Sequence, residues 1–428
     1  MVKVKKNKPP EIQSPKGMHD ILPIDQPLWE KVRRITKDIA DAYNFFRLDT
    51  PILEKAELFE RSVGAVTDIV EKQMFFVQSK SKERLVLRPE RTSALARAYI
   101  EHGLGQLGSP LRIYADGPMF RYEQPQAGRY RQFHQIDFDI ISSEDDPIYD
   151  TQVILVFFRL LESLKLKGIK VATNSIGCKN CRPPYKKQLQ HYYKSFKSEL
   201  CPDCVRRLDI NPLRLLDCKE EKCREIRNDA PIMIDHLCNH CHNHFKMVLE
   251  YLDELVLPYN LDHYLVRGLD YYTETVFEIM CEGVSHALGG GGRYDYLIDL
   301  LGGKSSPAVG GALGVERVVE LIKSQNINLG LRAKPKIFLI HIGELAKKKS
   351  LALLEGLRKS DIQVTESLGK ESLKAQLRAA DKFGSPLALI FGQREAFEES
   401  VIIRDLKSGI QETVPLKKVE EVIKKKLH

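Results

Sequence analysis

Eight of the nine cysteines in this 428-residue chain fall between Cys178 and Cys241, leaving only Cys281 apart. They come in four close pairs: Cys178-x2-Cys181, Cys201-x2-Cys204, Cys218-x4-Cys223 and Cys238-x2-Cys241. Structural disulfides are usually spread along a secreted chain, so clustering in pairs points instead to thiolate–metal chemistry. Tetrahedral Zn2+ takes its thiolates from two such knuckles, and eight cysteines make enough for two four-cysteine sites. The spacing does not decide which knuckle joins which. His236, His240, His242 and His244 stand nearby as spare ligands. The competing expectation is eight reduced thiols buried as small apolar side chains. Residues 173–244 are rich in Cys, Arg, Lys, Asn and Pro and lack a long hydrophobic period. They are expected to form a small inserted domain that takes most of its folding energy from metal.

The rest of the chain must therefore assemble around an interruption, and its length already exceeds one ordinary core. Apolar residues Leu28, Val32, Ile35 and Ile39 recur at helical steps, predicting a helix over Gln26–Tyr43. Strands are expected at Leu85–Leu87, Leu111–Tyr122 and Gln132–Ile141, with helices at Glu90–His102 and Asp146–Leu164. After the insertion, strands are expected at His263–Val266, Thr275–Met280 and Val284–Leu288, then a helix over Gly314–Ser324. The stretch SQNINLGLRAKPK reads as a linker. Beyond it IFLIHI, LALIFG and VIIRDL alternate with helices at Leu345–Lys359 and Ser372–Lys382 and a basic terminal helix, an independent α/β domain.

Two glycine-rich strings fail as nucleotide loops. Gly289–Gly292 lacks the sixth-position glycine of a dinucleotide fingerprint, and Gly303-Lys304-Ser305 has Ile298 where a phosphate loop needs glycine. If the chain binds a nucleotide, it does so on another scaffold. A net charge of +8 permits a polyanionic partner without establishing one. No apolar run approaches the roughly 18–20 residues that cross a bilayer, and the basic start MVKVKKNKPP has no apolar stretch behind it, so no membrane partner and no secretory signal are expected.

The hairpin carries the chemistry. On Gln132–Ile141, Ile136, Phe138 and Ile140 face one way and Gln135, Asp137 and Asp139 the other. Arg121 and Glu123 share a face at the end of the preceding strand, and Arg129 and Arg131 flank the loop. By patterning alone this is an amphipathic hairpin with a polar face in water. The literal string FRYEQPQAGRYRQFHQIDFD, however, closely resembles motif 2 of class II aminoacyl-tRNA synthetases in its histidyl form. LVRGLDYYTETVFE (Leu265–Glu278) and GGGRYD (Gly290–Asp295) resemble the two histidine signatures of that family. LRPERTSALAR (Leu87–Arg97), GALGVERVV (Gly311–Val319) and PKGMHDILP complete the resemblance, which runs from Pro15 to about Leu416. The sequence departs from the family pattern at Gln124, where Arg is frequent, at Arg91, where Gly is frequent, and at Asp139, where many members carry Glu.

The resemblance implies an α+β catalytic domain over residues 15–325, with a mainly antiparallel sheet flanked by helices and the insertion 173–244 inside it. A disordered basic tail (1–14), a linker (326–334) and an α/β anticodon-binding domain (335–428) complete the expectation. It implies a cytoplasmic homodimer, paired near Thr50-Pro51, that activates L-histidine with ATP and Mg2+ and charges tRNA(His). Arg121 and Arg267 are the implied catalytic residues. Glu90, Thr92, Arg121, Gln135, Asp139, Arg267, Tyr271 and Tyr272 would bind histidine. Arg121, Glu123, Arg129 and Arg317 would bind ATP, and Gln126 would touch the tRNA acceptor end. A non-catalytic paralogue, the regulatory subunit of ATP phosphoribosyltransferase, shares the implied catalytic fold. Such subunits usually lack the anticodon domain and lose parts of the histidine and ATP signatures, all of which are present here.

Overall fold

The computed structural model describes residues 11–64, 67–78, 80, 82–126, 128–330, 337–370 and 372–427. Residues 1–10 of the expected tail and 331–334 of the expected linker lie outside them. The chain divides into two compact units, residues 1–329 and 330–428.

The first unit contains β1 (Phe46–Arg47), β2 (Leu53–Lys55), β3 (Phe75–Gln78), β4 (Arg84–Leu87), β5 (Leu111–Phe120), β6 (Gln132–Ile141), β7 (Ile169–Ser175), β8 (Tyr259–Leu261), β9 (Thr273–Cys281), β10 (Gly289–Arg293) and β11 (Ala308–Gly314). Eight of these form one sheet in the order β1-β5-β6-β11-β10-β9-β7-β8, and β2-β4-β3 form a small antiparallel sheet. Only the two edge pairings of the large sheet, β1 with β5 and β7 with β8, are parallel. The mainly antiparallel expectation holds.

Hydrophobic alternation places the large sheet. Ile136, Phe138 and Ile140 are all but fully buried on one face, in a core shared with Val153 and Phe157 of the helix Ile148–Ser163 and Val318 of the helix Val315–Ser324. The opposite face carries Gln135, Asp137 and Asp139. Directly across on β11 stand Gly314, Ala312 and Gly310. Opposed residues of an antiparallel pair share a face, so a column of near-absent side chains lies beside a polar one and leaves an open trough.

Several expected elements differ. His263–Val266 is a loop, held where Asn174 Nδ2 donates to the carbonyls of His263 and Leu265. Val284–Leu288 is the turn between β9 and β10, reached through Gly283 at φ +77°. The strand falls instead on the glycines of β10, which have no side chains to alternate. Thr173–Ser175 belong to β7 and so to the main sheet. The insertion is helical, at Arg182–Lys194, Pro202–Ile210 and Glu221–Arg227. Nor is it poor in apolar packing: Tyr185, Leu189, Tyr193, Leu208 and Leu215 are buried in a core continuous with Tyr271 and Tyr272. Its short helices break the period over which sequence pattern is legible.

In the second unit β12 (Ile337–His341), β13 (Val364–Glu366), β14 (Leu387–Phe391), β15 (Ser400–Asp405) and β16 (Gln411–Pro415) form a sheet in the order β13-β12-β14-β15-β16. The helices Glu344–Lys359, Leu373–Phe383 and Val419–Leu427 accompany it, close to their expected bounds. Both strands missed by pattern, β13 and β16, are sheet edges, where alternation is weakest.

Candidate active site

The trough on the polar face deepens into a cavity of about 190 Å³ between the β5–β6 hairpin, β9–β11 and the loop before β9. Ten residues expected at the site line it: Glu90, Thr92, Arg121, Glu123, Arg129, Gln135, Arg267, Tyr271, Tyr272 and Arg317. Asp139 and Gln126 do not. Asp139 sits one pleat deeper than Asp137, behind the lining, where it accepts the Tyr294 hydroxyl at 2.7 Å. Asp137 takes its place on the wall. Gln126 is exposed at the hairpin tip, bridged to Arg129 through the backbone.

One side of the cavity is cationic. Arg121 follows the end of β5, where Nε donates to the Pro89 carbonyl at 2.9 Å and the guanidinium lies 5.1 Å from the Phe133 ring centre. Arg317 opens the helix after β11, and Nε donates to the Gly128 carbonyl of the hairpin loop at 3.0 Å while Nη1 donates to that of Ala287. Arg267 donates from Nη1 to Glu278 Oε1 at 2.6 Å, and Arg129 stands 3.6 Å from Glu123 Oε2. Burial lowers the pKa of Arg121, helped by Arg267, and lowers that of Arg317, helped by Arg129 and Arg121. At Arg267 burial acts the same way, but Tyr272, Glu278 and Tyr271 outweigh it and the pKa rises. Guanidinium groups do not deprotonate in proteins, so the gathered charge is a standing attraction for an anion.

The other side is acidic. Glu90 accepts from the Ser93 backbone at the start of the helix Thr92–Glu101 and receives the Tyr271 hydroxyl at 3.3 Å. Burial raises the pKa of Glu90 and of Asp139, and pushes that of Asp137 up to about 6 against the pull of Arg91 and Arg88. Arg91 approaches Asp137 Oδ2 at 3.6 Å, and its three nitrogens have no hydrogen-bond partner among the described residues. A group of carboxylates kept from water with so little compensation favours an entering cation. Sequence reasoning did not single out Asp137 and Glu278, which line the cavity, or Tyr294, which stands behind it on Asp139. Alternation had already placed Asp137 on the right face, and Tyr294 stands within GGGRYD.

The eight clustered cysteines form two sets, Cys178, Cys181, Cys238 and Cys241, and Cys201, Cys204, Cys218 and Cys223, each with its sulfurs within 4.8 Å of one another. The first knuckle joins the fourth and the second joins the third, which settles the geometry that spacing left open. None of the eight is in a disulfide.

Residues 75–326 match the family described as tRNA synthetase class II core domain (G, H, P, S and T), and residues 336–426 match an anticodon binding domain. Fold and cavity thus define a class II aminoacyl-tRNA synthetase. The chain is 44% identical over 417 residues to the histidine–tRNA ligase of Dehalococcoides mccartyi, covering 97% of this chain and 100% of the relative. Against that of Aquifex aeolicus it is 43% identical over 405 residues, covering 95% and 99%. The crystal structure of apo Staphylococcus aureus histidyl-tRNA synthetase superimposes with a TM-score of 0.80 at 31% identity, covering 96% and 99%. The chain belongs to the histidine–tRNA ligase family.

Proposed function

We propose that the chain activates L-histidine with ATP, releasing pyrophosphate, and transfers the histidyl group from the adenylate to the 3′ end of tRNA(His) for protein synthesis. The observation that carries this reading is the convergence of Arg121, Arg267 and Arg317 on one cavity whose far side is acidic. A zwitterionic amino acid fits across it, with its ammonium toward Glu90, Thr92 and Asp137 and its carboxylate toward Gln135 and Arg121. Asp139 orients Tyr294 behind this niche.

Attack of the carboxylate on the α-phosphate needs positioning and charge stabilisation more than covalent help. Arg121 holds the two reacting groups together, Arg267 stabilises the charge that builds at phosphorus, and Arg317 and Arg129 hold the outer phosphates. Tyr271 and Tyr272 frame the imidazole. Mg2+ bound with ATP would supply further charge neutralisation. Glu123 and Glu278, the carboxylates on the arginine side, are oxygen donors of the kind it takes.

The C-terminal unit reads the anticodon, the 18 Lys and Arg against 13 Asp and Glu of residues 335–428 serving phosphate contact, and Gln126 at the exposed hairpin tip meets the acceptor end. The protein works as a cytoplasmic homodimer with structural Zn2+ in its insertion. Cysteines gathered in sets that fit a metal rather than in disulfides suit a reducing compartment. No helix among the described residues is long and apolar enough to cross a membrane. Histidine-dependent ATP–pyrophosphate exchange tests the reading: exchange with histidine and with no other amino acid is expected, and its absence rejects the assignment. A sedimentation mass near twice the 48.9 kDa of the chain is expected.

A further inference from the structure

The loop before β9 supplies Arg267, Tyr271 and Tyr272 to the cavity, yet residues 262–272 contain neither strand nor helix. Asn174 of β7 holds its start and Asp270 N donates to the Val63 carbonyl at 3.1 Å, and the insertion adds anchors at its middle and its C-terminal end. At its C-terminal end the Gly177 carbonyl, beside Cys178, accepts from Glu274 N at 3.1 Å, from Thr273 Oγ1 at 3.3 Å and from Arg182 Nε at 3.1 Å. Arg182, beside Cys181, also donates from Nη2 to the Tyr272 carbonyl. At its midpoint Arg214, between Cys204 and Cys218, donates from Nη1 to the Arg267 carbonyl at 3.3 Å. Asn211 on the same segment donates to Asp270 Oδ1 at 3.1 Å.

The sulfur geometry says what holds these anchors. Cys178 and Cys181 Sγ lie 3.7 Å apart, Cys181 and Cys241 3.8 Å, and Cys201 and Cys218 3.8 Å. A disulfide requires about 2.05 Å. A tetrahedron with Zn–S bonds of about 2.3 Å has edges of about 3.8 Å. These three edges match a zinc tetrathiolate, no sulfur pair within either set exceeds 4.8 Å, and the two segments that each set joins bracket an anchor, Arg182 in one and Arg214 in the other.

We propose that two zinc tetrathiolate centres clamp this loop at two points, its C-terminal end and its middle: the one at Cys178, Cys181, Cys238 and Cys241 positions Tyr272 for histidine, and the one at Cys201, Cys204, Cys218 and Cys223 positions Arg267 for adenylate formation. The inference rests on reading the cavity as the histidyl-adenylate site. Arg182 and Arg214 are positioning residues that act through the backbone of residues touching substrate. The two centres consequently have separable kinetic signatures.

The test is zinc content by mass spectrometry, together with histidine KM and kcat in pyrophosphate exchange. Wild-type protein from metal-replete cells is expected to carry about two equivalents. Cys181→Ser loses one and raises the histidine KM about tenfold or more with kcat largely kept, because displaced supporting groups typically cost that much. Arg182→Ala raises KM likewise with both zinc ions retained. Cys204→Ser and Arg214→Ala depress kcat instead, the latter with both ions in place. Should a cysteine variant fail to fold, the two arginine variants decide alone. Zinc-free wild-type protein overturns the centres. Unchanged kinetics in Arg182→Ala and Arg214→Ala overturn the clamp while the metal stands. Zinc-loaded wild type without histidine-dependent exchange overturns the underlying site reading.

Discussion

Arg267 Nη1 donates to Glu278 Oε1 at 2.6 Å while Nε of the same guanidinium is buried with no hydrogen-bond partner among the described residues. One edge of the group is anchored and the other is left to a ligand. A donor that meets charge only as it develops acts on the rate rather than on ground-state binding. Arg267→Ala is therefore expected to slow adenylate formation by about 10²–10³-fold, with the histidine dissociation constant by calorimetry little changed. Equal loss in both measurements would make the residue a substrate-binding or structural group.

The trough depends on missing side chains, and at Gly290 an added one would meet both backbone and a site arginine. It lies on β10 between Glu278 of β9 and Ala312 of β11. A Cβ there would stand 2.5 Å from the Phe277 carbonyl oxygen and 2.9 Å from Arg267 Nη1. The backbone neighbour cannot yield, so Gly290→Ala must move β10 and the guanidinium together. A misplacement on this scale costs about 10²-fold in rate, beyond what a fall in thermal midpoint explains. Gly356→Ala is the control: nothing lies within 4 Å of its added Cβ on the helix Glu344–Lys359, and helix propensity predicts a gain of up to about 1 kcal/mol. Normal exchange by Gly290→Ala would remove the trough from the argument.

Asp137 gives the site a pH dependence whose sign follows from its burial. With its pKa pushed up to about 6, the carboxyl of the free enzyme is neutral below that value and charged above it. An entering ammonium favours the charged form, so histidine affinity should climb as pH rises through about 6 and level off above. Free histidine titrates nearby, with an ordinary imidazole pKa of about 6.5, so the comparison must be with Asp137→Asn. The variant should bind more weakly at neutral pH and lack one titration in its profile. Parallel profiles for the two proteins would exclude Asp137 from the ammonium niche.

The β5–β6 hairpin was legible because two long strands alternate cleanly around a turn-rich loop, and its bounds moved by two residues at one end. Arg121, Arg267 and Arg317 were legible only through quoted strings, since nothing local in a sequence brings positions 121, 267 and 317 together. β10 was illegible for the reason that makes it useful: four glycines leave no pattern and leave room for substrate. Asp137 and Asp139 share a face, and only the folded structure shows that Asp139 is withdrawn behind the lining, on Tyr294. In the insertion, spacing announced the knuckles, but their pairing depends on how three short helices return upon one another.

The signature string GGGRYD hides a residue whose work is structural. Arg293 ends β10 with 1% of its side chain exposed and reaches Asp150 at 2.6 Å, Asp145 at 2.7 Å and Asp295 at 3.0 Å. It lines no part of the cavity. Removing one member of such a buried network strands the other charges, and Arg293→Met should lose about 3–5 kcal/mol in urea denaturation at pH 7. Burial by itself would raise the pKa of Asp150, yet Arg293 and His244 outweigh it and hold the carboxyl below its usual range. A depressed folded-state pKa means stability that is complete above the unfolded value of about 3.9 and is lost as pH falls through the folded one. The gap between wild type and variant should accordingly be widest near neutrality and close below about pH 4 as Asp150 takes up its proton. A gap that stays constant from neutral to acid pH would mean that the guanidinium contributes packing there and no electrostatic stabilisation.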